Sequence, residues 1–113
     1  MKAINLTTHK ELASNLLKAE NLFARIKGLL GRSSLASGGA LLLKPCNGIH
    51  TFGMQFAIDV IFLDRKNRVV AVTNDMQPNR LTRIYLHAAS VLELPVGTIE
   101  ATATAIGNEV EIV

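Results

Sequence analysis

Seven residues, Ala57-Ile58-Asp59-Val60-Ile61-Phe62-Leu63, limit the fold more than any other stretch of this chain. They are rich in β-branched and aromatic side chains and too short for a stable helix. In a strand, successive side chains point to opposite faces. Ala57, Asp59, Ile61 and Leu63 then share one face, and Ile58, Val60 and Phe62 share the other. Both faces are apolar apart from Asp59, so the strand is expected to be central and covered on both sides. The polar turn Asp64–Asn67 and a second strand, Arg68–Thr73, complete an antiparallel hairpin. An ionised Asp59 at such a place is costly unless it is paired or hydrogen-bonded. Two roles are open to it. It can accept hydrogen bonds from backbone N–H groups or an arginine and fix a loop. It can also line a pocket with a shifted pKa.

The same rules read the rest of the chain. A first strand is expected around Ala3–Thr7, and residues 11–19 suit a helix or a strand equally. Asn21 can cap a helix whose Leu22, Phe23, Ile26, Leu29 and Leu30 form one apolar face, with Gly31 ending it. Ala40–Lys44 reads as a strand stopped by Pro45, and Ser90–Leu94 as one stopped by Pro95. Gly97-Thr98 opens a short helix through Ala103, and Gly107-Asn108 turns into a last strand, Glu109–Val113. Strands outnumber helices. The pattern predicts an α+β, β-rich single domain over residues 1–113, with a mostly antiparallel compact sheet or barrel-like core and two short helices.

A chain of 113 residues, 49% hydrophobic, can bury a core without disulfides or metal. Its lone Cys46 cannot form an internal disulfide, which suits a reducing compartment. The first residues hold no continuous apolar segment of signal-peptide type, and no run is long enough to span a membrane. A cytoplasmic location is the expectation. The net charge of +3 is uneven. Residues 1–83 carry all 12 Lys and Arg against five acids, or +7; residues 84–113 carry four acids and no Lys or Arg, or −4. This allows an anionic partner at the basic part or simply solvated surface charge. Aromatic residues make up 4% and tryptophan is absent, so there is no stacking platform for nucleic acid.

The segment Cys46-Asn47-Gly48-Ile49-His50-Thr51-Phe52-Gly53-Met54 concentrates polar and reactive groups just before the central strand. Cys46 and His50 are four apart, but Pro45 and Gly48 argue against a helix. A two-residue hairpin at Asn47-Gly48 would place the two on opposite faces. A Cys–His dyad therefore needs irregular backbone, and Cys46 is expected to be a packing residue. His9, His50 and His87 lack metal-ligand spacing, so no metal is assigned, and no cofactor. The candidate site lies where the His50–Met54 segment meets the central strand, with Arg32 emerging beyond the helix. Its candidate ligand-binding residues are Arg32, His50, Thr51, Met54 and Asp59. They suit a small polar ligand or a protein segment, anionic if Arg32 faces the cleft. The main reading is a non-catalytic binding or accessory domain, with no catalytic residue assigned. The alternatives are an enzyme using Asp59 or His50 as acid/base or Cys46 as nucleophile, or a structural assembly module.

Three boxes carry a resemblance: RIKGLLGRSSL at 25–35, LLLKPCNGIHTFGMQFAIDVIFLDRKNRVVAV at 41–72 and VLELPVGTIEATATAIGNEVEI at 91–112. Together they resemble a prokaryotic family of small domains catalogued as domain of unknown function one-nine-two. The resemblance implies a compact, β-rich α+β fold and no particular reaction. It favours strand over helix for 11–19, and helix for 21–30 and 98–104. The family's recurrent positions map onto Gly28, Leu29, Arg32, His50, Thr51, Met54, Asp59, Leu94, Pro95 and Gly97. The chain departs from the pattern at Ala57, where relatives usually have proline, and at His50, where tryptophan is frequent. It also has Gly107-Asn108 in place of Gly-Asp.

Overall fold

The structure is a computed structural model that describes the backbone of residues 1–113 and every side chain except those of Leu22 and Ile26. Strands dominate, as the apolar runs require. In chain order they are β1 (Ala3–Asn5), β2 (Lys10–Ala13), β3 (Asn15–Ala19), α1 (Leu22–Lys27), β4 (Gly39–Leu43), β5 (Ile58–Leu63), β6 (Val69–Met76), β7 (Ser90–Leu94), α2 (Thr98–Ala101) and β8 (Val110–Ile112). Residues 11–19 are strand, split at Ser14 so that β2 and β3 join different sheets. The sheets are a three-stranded β2-β1-β8 and a five-stranded β3-β4-β7-β5-β6. Only β3–β4 is parallel, and α1 is its crossover. The α+β, mostly antiparallel expectation holds.

β5 behaves as its composition demands. All six of its residues are buried, and it pairs with β6 on one side and β7 on the other. Its period-2 alternation divides the core into two halves. Ile61 and Leu63 face one cluster with Leu92, Leu94, Ile99 and the small sheet's Ala3, Leu12 and Val110. Ile58, Val60 and Phe62 face the other, with Leu41, Leu43, Val91, Leu29, Ile49 and Met54. The second half is roofed by α1, the 44–57 segment and the loop after β6.

One expectation about α1 fails. Asn21 caps it as anticipated, its Oδ1 accepting from the Ala24 N–H at 2.7 Å. Phe23, however, is 79% exposed. The helix has only six residues, and Gly28, at φ 45°, turns the chain out of helical phase. Leu29 is buried because that turn delivers it to the core, so it shares no helical face with Phe23. Leu22 and Ile26, the other members of that face, have side chains outside the described ones.

Candidate functional site

A cavity of about 230 Å³ opens between α1 and the His50 segment. Leu29, Leu30, Leu43, Ile49 and Met54 form its apolar walls. Arg25, Lys27, Cys46, His50 and Glu93 supply its polar groups.

Glu93 is the unusual member. It lies on β7 opposite Leu41 of β4 and Val60 of β5, on the face that also carries Val91 and Phe62. Only 4% of it is exposed. No hydrogen bond to its carboxyl group is found among the described residues; its oxygens are not sealed in the core but open on the cavity. Burial alone pushes its pKa up to about 7. A carboxyl group left without donors in an apolar surround is costly to a fold, and such groups concentrate at functional sites. Gly28 gives it cover: an added Cβ there would stand 3.9 Å from Glu93 Oε1.

Sequence reasoning passed over Glu93, although a signal existed. In Ser90-Val91-Leu92-Glu93-Leu94 one acid interrupts a fully buried strand, the same anomaly that singled out Asp59.

Of the five residues read as a site, His50 and Met54 line this cavity. Met54 is buried in the wall, whereas His50 is exposed at the mouth, its ring stacked on Phe52 at 5.1 Å. His50 Nδ1 accepts from the Phe52 N–H at 3.2 Å, so the neutral ring carries its proton on Nε2. The backbone between Cys46 and His50 is irregular and pairs with the loop after β6: the Tyr85 N–H donates to the Asn47 carbonyl and the Ile49 N–H to Thr82 Oγ1, each at 2.9 Å. Cys46 and His50 therefore line one cavity, against the regular-hairpin expectation. Cys46 is half-buried and its thiol donates to the Gly48 carbonyl at 3.2 Å. Burial pushes the thiol's pKa up, and the nearby Glu93 charge adds to this. The Gly48 hydrogen bond and Arg25 oppose it. The thiol is therefore neutral near pH 7, contrary to what a resting nucleophile needs.

Thr51, Asp59 and Arg32 do not join this cavity. Thr51 is fully buried; its hydroxyl donates to the Gln77 carbonyl at 2.6 Å and accepts from the Arg80 N–H at 2.9 Å. It pins the loop after β6. Asp59 is 1% exposed, and its carboxylate accepts from the Asp75, Gly97 and Ile99 N–H groups at 2.9, 3.1 and 2.9 Å. That satisfies the loop-fixing role. Asp59 also points toward α2, on the opposite face of the sheet from Met54, so no cleft can contain both. Arg32 is exposed beyond the turn that ends α1. Among the described residues, no group of three or more His, Cys, Asp or Glu is placed to hold a metal.

Beyond Cys46 lies a wider, shallow depression of about 990 Å³, bordered by Asp64, Arg65, Lys66, Arg68, Leu86 and His87 among others. It is open to solvent and contains no buried charge, so the smaller cavity is the better-built site.

Comparisons with known proteins follow the whole chain. The family model described as "Uncharacterized ACR" matches residues 4–112. A UPF0127 protein of Thermococcus sibiricus is 31% identical over 96% of this chain and 72% of its own length. A UPF0127 protein of Pyrococcus furiosus is 32% identical over 96% of this chain and 95% of its own. Both organisms are archaea. The crystal structure of a protein of unknown function from Novosphingobium aromaticivorans superposes with a TM-score of 0.86. It is 18% identical and covers 99% of this chain and 84% of its own, a likeness of fold.

Proposed function

The chain belongs to the DUF192 family, and from that premise we propose that it is a small-ligand-binding domain whose site is the cavity beneath α1. The observation that supports this is the Glu93 carboxyl group, buried, without a donor, and directed into a space a ligand can fill. A fold gains nothing from such a group by itself, since an apolar residue of similar size would pack there without the desolvation cost. A ligand that brings a donor satisfies it.

The lining sets the ligand's chemistry. The deep end takes a hydroxyl or amino group against Glu93. Leu29, Leu43, Ile49 and Met54 take a short apolar body. Arg25, Lys27 and His50 at the mouth take an acceptor or an anionic end. A space of 230 Å³ equals about seven or eight waters at ~30 Å³ each, so the ligand is small. Within this reading His50 and Met54 are contact residues. Thr51 and Asp59 position the loops around them, and Arg32 contributes only long-range positive potential.

The test is an NMR titration with butylamine, butanol and butyrate. The amine and the alcohol should shift Glu93, His50 and Met54 resonances, and butyrate, which brings no donor, should shift Glu93 least. Shifts confined to residues elsewhere would overturn the site. A carboxyl group titrating near neutrality is also suited to proton transfer. Turnover of a bound compound, abolished in Glu93→Gln, would assign an enzyme in place of a binding domain.

A further inference from the structure

The mouth of the cavity opens beside an unusual surface. We propose that this surface docks on a lipid bilayer bearing anionic headgroups. Phe52, Leu81, Ile84 and Leu86 would enter the interface, and Arg80 and Arg83 would meet the lipid phosphates. These four apolar side chains are 50, 71, 61 and 85% exposed. Single exposed leucines need no explanation on a soluble surface. Here, however, three fall within six residues, and Phe52 joins them across the His50–Leu81 bridge.

The charge pattern says what covers them. Residues 21–57 and 76–92 contain no Asp or Glu, while they hold Arg25, Lys27, Arg32, Lys44, Arg80 and Arg83. Asp64 lines the depression that Leu86 also borders, but it is already paired with Arg68 at 3.4 Å. The complement of this surface is therefore negative. A protein partner would need a continuous apolar centre with little charge in it. In Arg80-Leu81-Thr82-Arg83-Ile84 two of the exposed apolar tips, Leu81 and Ile84, each stand next to an arginine. A bilayer interface accepts that arrangement, because separate tips reach the acyl boundary while neighbouring guanidinium groups stay among the phosphates. The loop is also ordered before it binds. Thr51 holds the Gln77 carbonyl and the Arg80 N–H, Ile49 is tied to Thr82, and Tyr85 packs on Phe62 at 4.5 Å. Little conformational entropy then remains to be lost on docking.

The experiment uses the full chain with vesicles of phosphatidylcholine, with and without phosphatidylserine. Because the chain has no tryptophan, Leu86→Trp supplies a single fluorescent reporter, and Ile106→Trp supplies a control at another exposed apolar position. Co-sedimentation should require phosphatidylserine and weaken with salt. The emission of Leu86→Trp should shift to the blue and be quenched by brominated lipid, while that of Ile106→Trp should not. The pair Arg80→Gln and Arg83→Gln should lower binding about 30-fold. Leu81→Ser with Ile84→Ser should also weaken it, with the melting temperature unchanged because both side chains are solvent-exposed. No binding to phosphatidylserine vesicles at low salt overturns the proposal. So does binding that is indifferent to the two serine changes and equally strong to heparin, which would mark a general polyanion surface. A stable complex with an acidic protein that these substitutions disrupt, without lipid binding, would assign the face to a protein instead.

Discussion

Replacing Glu93 by Gln should make the protein more stable at alkaline pH and leave it nearly unchanged at acid pH. The substitution keeps the side chain's shape and removes its ability to ionise. In the folded protein the carboxyl group ionises near 7, and in the unfolded chain near 4.5. Between these two values the folded state holds the proton that the unfolded state has released. The stability of the native protein therefore falls as pH rises through that window. Below pH 4.5 the cost is absent, and above pH 7 it is fully present. At about 1.36 kcal/mol per pH unit, the window amounts to about 3 kcal/mol. With a urea dependence of about 1–3 kcal/mol per molar, usual for a small domain, the unfolding midpoint of Glu93→Gln should exceed that of the native protein by about 1–3 M at pH 8. The midpoints should converge near pH 4. The two proteins are otherwise identical in sequence, so the difference between the two curves reports on Glu93. Parallel midpoint curves from pH 4 to 8 would refute the reasoning and show that the carboxyl group finds donors or water in solution. A ligand that supplies a donor to Glu93 should reduce the difference, which links this measurement to the proposed site.

Asp59→Ala should cost about 3 kcal/mol or more, because it leaves three backbone N–H groups without their acceptor. Faster amide exchange at Asp75, Gly97 and Ile99 would confirm the cause, and an unchanged unfolding midpoint would contradict it. Phe23→Ser should change stability by no more than about 0.5 kcal/mol, since the ring lies in solvent; a large loss by chemical denaturation would mean that the ring packs after all. Cys46 should react slowly with iodoacetamide at pH 7 and faster as pH rises, with no plateau by pH 9, because the thiol is neutral and partly buried. Fast alkylation at pH 7 would show a stabilised thiolate.

The central strand, the hairpin after it and the strands ending at Pro45 and Pro95 were legible because period-2 alternation and proline are local signals. The burial of Asp59 was legible for the same reason. Its partners were not: the three N–H groups come from Asp75, Gly97 and Ile99, and nothing near Asp59 in the sequence announces them. The candidate site was half legible. His50 and Met54 do line a cavity, but grouping them with Asp59 required knowing which face of β5 the preceding segment crosses. That choice belongs to tertiary packing. Glu93 was missed because the strand was read for its type and not for the acid within it. Phe23 misled because a six-residue helix is too short for an apolar face to be enforced by packing at both ends.

The two ends of the domain lie side by side in the small sheet. The Lys2 N–H donates to the Val113 carbonyl at 2.7 Å, and the Val113 N–H donates to the Lys2 carbonyl at 2.9 Å. β1 and β8 are antiparallel, with Ala3 opposite Ile112 and Asn5 opposite Val110. A force that separates the ends therefore acts across the strands, and it loads one pair of hydrogen bonds at a time. The Lys2–Val113 pair is loaded first, together with the bond from the Leu16 N–H to the Met1 carbonyl at 2.8 Å, and β8 then peels away from β1. Sheared strands share a load over many bonds; these do not. Peeling β8 uncovers Val110, Ala3 and Leu12, which belong to the cluster beneath α2. Against a motor that pulls the two strands apart from this side, the domain offers a zipper whose first tooth is the Lys2–Val113 pair.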